Sequence, residues 1–211
     1  EIISYCCGHN IGIVGFNDTD YPPRLRGIYD PPVLLFCKGE LGLLTSDVIV
    51  SVVGARNPSE YSVNTAKKIC TALAKSGIAV ASGFAVGTDI TAHLSAVRSG
   101  GKTIAVLGSG IGYEYPAENS RYIDEVAANG LFISEYFPNS SANRHNFPAR
   151  NRILSGIAMG TVVVEASERS GSLNTASNAV SQGRDLWVIP PHDIFDPRYD
   201  GNKLLLRDGA I

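Results

Sequence analysis

The run FPARNRILSG at residues 147–156 carries the side chains of this chain that are best suited to chemistry. Its opening Phe-Pro pair predicts an extended break, and Arg150, Asn151 and Arg152 then begin an apolar segment that is typical of a buried helix. Two guanidinium groups beside a helix N-terminus are repelled by the positive end of the helix dipole unless an anion lies between them. Because arginine recognises phosphate well, the run predicts a site for an anionic, phosphate-bearing ligand.

The elements that must position these arginines follow a regular pattern from residue 48 onward. Apolar runs predict strands at 48–53, 78–81, 103–107, 131–134, 161–164 and 186–190, and helical patterns lie near 59–76, 87–99, 118–129, 151–159 and 172–183. Apolar runs without alternation suit strands that are covered on both faces. Strand–helix alternation at this spacing predicts an α/β fold with a doubly wound, mostly parallel sheet and helices on both faces.

The first part of the chain has a different composition. Pro-Pro pairs bracket short pieces within residues 1–47, and residues 33–36 are a possible edge strand. We therefore expect residues 1–47 to be a leader that packs on a core formed by residues 48–211.

Composition limits the class of protein. The formal net charge is −2, which lowers the expectation of nucleic-acid binding without excluding a local basic groove. The four cysteines lack zinc-like spacing, which predicts reduced thiols and no metal site. No apolar stretch is long enough to span a membrane and no signal peptide is visible, so we expect a cytoplasmic protein. The chain is also expected to be cut from a longer protein.

Small and polar residues follow the predicted strands, at the sheet edge where ligands of open α/β sheets bind. The loops are GARNPS at 54–59, SGFAVGTD at 82–89, GSGIGY at 108–113 and RSGSLNT at 169–175. Glycines and hydroxyls before helix N-termini let backbone N–H groups approach an anion. Together with nearby arginines, these loops predict a phosphate-bearing ligand.

Several common chemistries fit poorly. No G-x-G-x-x-G follows the first core strand and no P-loop occurs, which argues against dinucleotide binding and a Walker-type site. Asp89 and His93 are expected to form a local hydrogen bond that pins their loop, since no activated nucleophile is identifiable. Glu135 and Glu165 are expected to neutralise arginines. We predict no catalytic residue and no cofactor.

The order of short motifs resembles that of the DNA-processing protein A (DprA, or Smf) family over about residues 21–210. The motifs are YPPRL at 21–25, PPVLLFCKG at 31–39, VSVVGAR at 50–56, SGFAVGTDITAH at 82–93, GGKTIAVLGSG at 100–110, YPAEN at 115–119, SEY at 134–136, FPARNR at 147–152, VVEASERSGSLNTA at 163–176, GRDLWVIP at 183–190 and GNKLLLRDGA at 201–210. No single motif is decisive, but their combination is specific.

The resemblance implies an extended Rossmann-like fold that binds single-stranded DNA and helps to load a RecA-type recombinase onto it during natural transformation. It further implies a homodimer without catalytic activity, and DNA contacts from Arg56, Arg144, Arg150 and Arg152. With the phosphate-binding loops, the full set of candidate DNA- and phosphate-binding residues is Arg56, Ser82, Gly83, Gly108, Gly110, Arg144, Arg150, Asn151, Arg152, Ser170, Gly171 and Ser172.

Two departures remove positive charge from positions that are usually basic in the family: Val86 and Ala117. Bases are expected to stack on exposed aromatic rings, for which the candidates are Phe84, Tyr113, His145 and Phe147. The alternative function is that of a nucleotide-sensing or nucleotide-cleaving protein of the lysine-decarboxylase-like Rossmann group, although SGSLNTASN at 170–178 lacks that group's double glycine and acid.

Overall fold

The structure, a computed structural model, describes all residues from 1 to 211. Its strands are β1 Gly12–Gly15, β2 Leu34–Gly39, β3 Ile49–Val53, β4 Ala79–Ser82, β5 Thr103–Val106, β6 Gly130–Ser134, β7 Gly160–Val163 and β8 Asp185–Val188. Its α-helices are α1 Ile2–Gly8, α2 Pro23–Arg26, α3 Glu60–Lys75, α4 Thr88–Arg98, α5 Ile123–Ala127, α6 Asn146–Ile157, α7 Gly171–Ser181 and α8 Asp200–Arg207. Short 3₁₀ helices cover Leu41–Thr45, Ala117–Tyr122 and Pro197–Tyr199.

A single eight-stranded sheet has the order β1-β2-β6-β5-β4-β3-β7-β8. The six strands from β3 to β8 run parallel, and β1 and β2 add an antiparallel edge beside β6. Every residue of β3, β4, β5, β6 and β7 is buried, as unbroken apolar runs in a doubly covered sheet require. The predicted α/β, Rossmann-like fold class is confirmed.

Helices cover both faces of this sheet. On one face, Ala66 and Cys70 of α3 and Ala92 of α4 pack against Val52 of β3. On the other face, Leu154 of α6, with Ala176 of α7, belongs to the larger cluster of 25 buried residues. β3 connects to α3 on the first face and β7 connects to α7 on the second, so the connections after these two neighbouring parallel strands turn to opposite faces of the sheet. Ligands of such sheets bind at this switch point.

The first 47 residues belong to the same sheet and core. β2 lies between β1 and β6, so the expectation of an edge strand at residues 33–36 is wrong, and β1 is the edge. Tyr21, Leu25 and Leu44 are fully buried in the larger cluster. This segment therefore extends the core's sheet, while a domain boundary at residue 47 stays a prediction.

Two predicted helices differ from those observed. The pattern at 118–129 is divided into a 3₁₀ helix and the short α5. The helix expected at 151–159 begins at Asn146, so Phe147 and Pro148 lie inside its first turn. Proline is tolerated there because the first N–H groups of a helix have no intrahelical acceptor.

Candidate nucleic-acid interface at the switch point

A cleft of about 230 Å³ opens at the carboxyl ends of β3 and β7. The loop after β3, the loop after β4, α6 and the first turn of α7 form its walls. Its lining residues are Val53, Gly54, Arg56, Ala85, Asp89, Phe147, Pro148, Arg150, Asn151, Leu154, Ser170, Gly171, Ser172, Asn174 and Thr175. The fold therefore brings together four segments that are far apart in sequence.

Arg56 is the exposed cation of this cleft. Its guanidinium carbon lies 5.6 Å from the centre of the Phe147 ring, a cation–π distance, and no carboxylate forms an ion pair with it. Its loop is fixed by Thr88, whose N–H and hydroxyl both donate to the carbonyl of Ala55 at 3.1 Å. Arg56 thus presents an unneutralised positive charge from a fixed backbone.

Gly87 is needed for that arrangement. Its φ is +83°, a region that favours glycine, and a Cβ there would collide with the backbone carbonyls of Ala55 and Arg56. The loops after β3 and β4 therefore pack backbone to backbone.

Arg150 faces inward and is 5% exposed. Its Nη1 donates to the carbonyl oxygens of Gly83, at 2.8 Å, and of Val106, and its Nε donates to Asn151 Oδ1 at 3.2 Å. Burial lowers the pKa of this guanidinium. Arg150 therefore joins the ends of β4 and β5, and the expectation that an external anion must separate it from Arg152 is wrong.

Asp89 lies beside the Arg150 side chain. It is 8% exposed and accepts a hydrogen bond from the N–H of Ala85 at 3.3 Å. Burial raises the pKa of its carboxyl, and the positive charge of Arg150 opposes that rise. A Cβ on Gly83 would lie 2.6 Å from both Arg150 Nη2 and Asp89 Oδ2, so only glycine fits between them.

Arg152 is neutralised away from the cleft. Its Nη2 and Nη1 donate to the two carboxylate oxygens of Glu135 at 2.6 and 2.9 Å, and its Nε donates to Asp30 at 3.0 Å. This two-pronged pair matches the geometry of guanidinium and carboxylate. Glu135 therefore neutralises an arginine as expected, and Arg152 fixes α6 to the ends of neighbouring elements.

The glycine loops after β4 and β5 do not form a phosphate cradle. Ser82 is fully buried and its hydroxyl donates to the carbonyl of Val52 at 2.6 Å. α4 begins at Thr88, so no helix N-terminus lies at residues 82 and 83. Gly108 packs under the ring of Phe147, and the N–H of Gly110 donates to the carbonyl of Ser140 at 2.8 Å. These positions serve close backbone packing.

The loop after β7 does reach the cleft. Ser170 caps α7 by accepting from the N–H of Ser172 at 3.4 Å, and Gly171 has open space around it. Asn151 donates through its side-chain amide to the carbonyl of Gly171 at 3.4 Å and to Asn174 Oδ1 at 3.2 Å. The N–H groups of Ser170 and Ser172 donate to Ser167 and to the Ser170 hydroxyl, so it is the N–H of Gly171 that an anion can use at the start of α7.

Two further arginines flank the site without lining it. Arg144 and Arg169 are exposed and form no ion pair. The Nε of Arg144 lies 3.4 Å from Nε2 of His145, just before α6 begins. The arginines of this edge thus divide into exposed, uncompensated side chains and internally bonded ones.

The expected Asp89–His93 hydrogen bond is absent. His93 Nδ1 pairs instead with Thr103 Oγ1 at 2.6 Å, and its Nε2 is buried without a partner. The hydroxyl of Thr103 donates to the carbonyl of Val80, so Nδ1 of His93 is the donor to Thr103. Glu165 forms no ion pair with an arginine, and one of its carboxylate oxygens accepts a hydrogen bond from the N–H of Ser59 at 2.8 Å.

The aromatic candidates have different surroundings. Phe84 is 2% exposed and packs in the core, so it is not available for stacking. Phe147 is half-buried under Arg56, Tyr113 is 42% exposed and His145 is exposed. Tyr115, which the sequence did not single out, lies 5.5 Å from Phe147 between ring centres and is 37% exposed.

No group of His, Cys, Asp and Glu side chains is arranged to hold a metal ion. None of the helices combines the length and the hydropathy of a membrane-spanning segment.

The family model for DNA recombination-mediator protein A matches residues 12–211. This chain belongs to that family. It is 43% identical over 193 residues to DNA processing protein DprA of Streptococcus pneumoniae, a match that covers 92% of this chain and 67% of that protein. The chain thus corresponds to about two thirds of that relative.

Solved structures of the family have the same architecture. The crystal structure of DprA from Streptococcus pneumoniae matches with a TM-score of 0.91 at 40% identity, covering 99% of this chain and 73% of that one. A structure that describes the single-stranded DNA binding mode of DNA processing protein A from Helicobacter pylori matches with a TM-score of 0.86 at 30% identity, covering 95% and 89%.

Proposed function

We propose that this recombination-mediator chain binds single-stranded DNA at the switch-point cleft. The observation that carries the proposal is Arg56, an exposed guanidinium without an ion-pair partner that lies over the ring of Phe147. A charge of this kind at the ligand edge of an α/β sheet favours a phosphate group, and the exposed ring of Tyr115 beside Phe147 favours a base. The Helicobacter pylori relative, which shares the fold, has a described single-stranded DNA binding mode.

Each part of the cleft has a role in this proposal. Arg56 binds a backbone phosphate, and at the N-terminus of α7 the N–H of Gly171 donates to a phosphate, because those of Ser170 and Ser172 already have acceptors within the protein. Arg144 adds charge outside the cleft. Phe147 supports the Arg56 guanidinium, and the neighbouring exposed ring of Tyr115 stacks on a base, which contributes about 1–3 kcal/mol without sequence preference.

The proposal leaves out several residues that the sequence alone suggested. Arg150 is bonded to backbone carbonyls, and Arg152 is bonded to carboxylates. Ser82 is buried at the end of β4, and Gly83, Gly108 and Gly110 are buried in the loops after β4 and β5. Binding therefore depends on a few exposed cations, which agrees with a chain whose net charge is −2.

The bound strand is then handed to a RecA-type recombinase, and the chain acts as a homodimer without catalysing a reaction. Support for these steps comes from the family to which the chain belongs. The cleft lining contains no histidine or cysteine and only one carboxylate, Asp89, which is buried beside Arg150. Such a lining suits binding better than acid–base or nucleophilic catalysis.

The test is a charge reversal, Arg56→Glu, compared with Lys68→Glu, which makes the same change on the exposed surface of α3 outside the cleft. Affinity for fluorescent oligo-dT is measured between about 50 and 200 mM salt. We expect Arg56→Glu to lower affinity about tenfold or more and to flatten the salt dependence, because each phosphate that is no longer neutralised removes about 0.7 from the slope. Full affinity of Arg56→Glu would refute the proposal.

A thermal-shift experiment distinguishes single-stranded DNA binding from the alternative, a nucleotide-sensing or nucleotide-cleaving protein. We expect oligo-dT to stabilise the wild-type chain and a panel of mononucleotides not to do so. Stabilisation by mononucleotides alone would favour the alternative. The Arg56→Glu variant also tests the recombinase step. We expect this variant to fail in promoting RecA filament assembly on single-stranded DNA.

A further inference from the structure

A second concave surface lies next to the cleft, on the outer side of α4. It is a trough of about 530 Å³ between α3 and the 3₁₀ helix Ala117–Tyr122. Its lining residues are Lys67, Thr71, Val86, Gly87, Ile90, Thr91, Leu94, Ser95, Arg98, Ser99, Glu118, Asn119, Arg121 and Tyr122. Its volume is in the range of ligand-binding pockets, and the switch-point site does not use it.

The two walls of this trough carry uncompensated positive charge. Lys67 on α3 and Arg121 on the 3₁₀ helix are exposed, and neither forms an ion pair. Arg98 also lines the trough, but Glu125 binds it at 2.7 Å and neutralises it. Glu118 is the only carboxylate in the lining. The free cations on opposite walls favour an anionic ligand.

The floor of the trough suits nucleobases. Val86, Ile90 and Leu94 are half-buried and give it apolar surface. The hydroxyls of Thr91 and Ser95 donate to backbone carbonyls of Gly87 and Thr91 at 2.8 and 2.6 Å, so their oxygen lone pairs remain as acceptors. On one wall the guanidinium of Arg121 lies 4.7 Å from the ring centre of Tyr122, a paired cation and π-face. Apolar, accepting and cationic groups together match a strand of nucleotides better than a small inorganic anion.

The trough and the cleft share one ridge. Arg56 and Ala85 line the cleft, whereas Val86 and Gly87, which follow Ala85 in the same loop, line the trough. Gly87 packs directly on the backbone of Arg56. A DNA strand that leaves the cleft at Arg56 therefore needs to cross only this ridge to enter the trough.

We propose that single-stranded DNA continues from the cleft over the Arg56–Gly87 ridge into the α3–α4 trough, where Lys67 and Arg121 bind its phosphates. This rests on the proposed function and extends the site to a longer strand. Short oligonucleotides occupy the cleft alone, and longer ones occupy both surfaces.

The test compares oligonucleotide lengths. The double variant Lys67→Glu/Arg121→Glu is matched by Lys68→Glu/Arg207→Glu, which makes the same charge change at exposed positions outside both surfaces. Affinity is measured for oligo-dT of about 5 nucleotides, near the lower limit of the usual site sizes of single-strand binding folds, and of about 20 nucleotides, above their upper limit. Thermal unfolding of each variant verifies folding.

For the trough variant we expect affinity to fall about tenfold for the long oligonucleotide and less than about twofold for the short one. For the long oligonucleotide, the slope of log affinity against log salt concentration should become shallower by about 1.4. The reason is that two phosphates, at about 0.7 each, are no longer neutralised. The control variant should weaken binding by less than about twofold at both lengths.

Equal losses of affinity at both lengths, or unchanged affinity for the long oligonucleotide, would overturn this extension while leaving the cleft proposal intact. If the wild-type chain binds neither oligonucleotide, the proposed function itself is refuted.

Discussion

Arg56 and Arg150 line the same cleft, yet their surroundings differ in every respect. Arg56 is exposed, has no carboxylate partner and lies over an aromatic ring. Arg150 is 5% exposed and donates to two backbone carbonyls from the ends of neighbouring strands. Residue type and position at a ligand edge therefore do not by themselves assign a role to an arginine. The role follows from whether the guanidinium already has its hydrogen-bond acceptors within the protein.

The largest loss of stability is expected for Arg150→Met, which keeps much of the side-chain volume and removes the hydrogen-bond donors. We expect a decrease of about 3–5 kcal/mol in the free energy of unfolding, because buried acceptors and the nearby Asp89 charge are left without their partner. Urea unfolding measures it. Arg56→Met is the matched control and should change stability by less than about 0.5 kcal/mol. An Arg150→Met protein of wild-type stability that no longer bound DNA would assign Arg150 to the ligand instead.

His93, whose pKa is affected by Arg150, should make the stability of the protein depend on pH. Burial, followed by the positive charge of Arg150, lowers the pKa of His93 from 6.5 to about 3. Below pH 6.5 the unfolded chain therefore binds a proton that the folded chain excludes, and stability falls as the pH falls. The slope is about 1.4 kcal/mol per pH unit and ends near the folded-state value.

The measurement is the difference between wild type and His93→Gln in urea unfolding from neutral to acidic pH. We expect His93→Gln to lack this component of the slope. Using the difference is necessary because burial raises the pKa of Asp89, which acts in the opposite direction. Parallel pH profiles for the two proteins would show that His93 is not held neutral.

The smallest expected effect is that of Arg152→Ala. Its side chain is 16% exposed and holds Glu135 and Asp30, so we expect a decrease of about 1–2 kcal/mol in unfolding free energy. Affinity for oligo-dT should stay within about twofold of wild type. If affinity dropped tenfold while stability was unchanged, Arg152 would join Arg56 among the ligand-binding arginines.

The fold could be predicted from the sequence because its strands are short, unbroken apolar runs. The strand at Ile49–Val53 differs from its prediction by one residue. The start of α6 could not be predicted with the same accuracy, because a Phe-Pro pair is compatible both with an extended break and with the first turn of a helix. The sequence predicts an edge position for β2 because nothing in residues 33–36 indicates that β1 will pair beside it.

The candidate site was predictable only in part. The sequence indicates which loops meet at the switch point, since strand order and chain direction fix that edge. It does not indicate which arginine is free, because the acceptors of Arg150 are 67 and 44 residues away in sequence. The partners of Arg152 come from two other segments. Burial and pairing of this kind are properties of the tertiary structure.

The inward position of Arg150 separates two responses to ionic strength. Dissolved ions screen exposed charges strongly and buried ones weakly. Salt that would weaken the proposed contact of Arg56 with a polyanion therefore leaves the hydrogen bonds from Arg150 to Gly83 and Val106 in place. In the proposed function, a DNA strand can therefore dissociate and rebind without any change in the hydrogen bonds that hold the ends of β4 and β5 together.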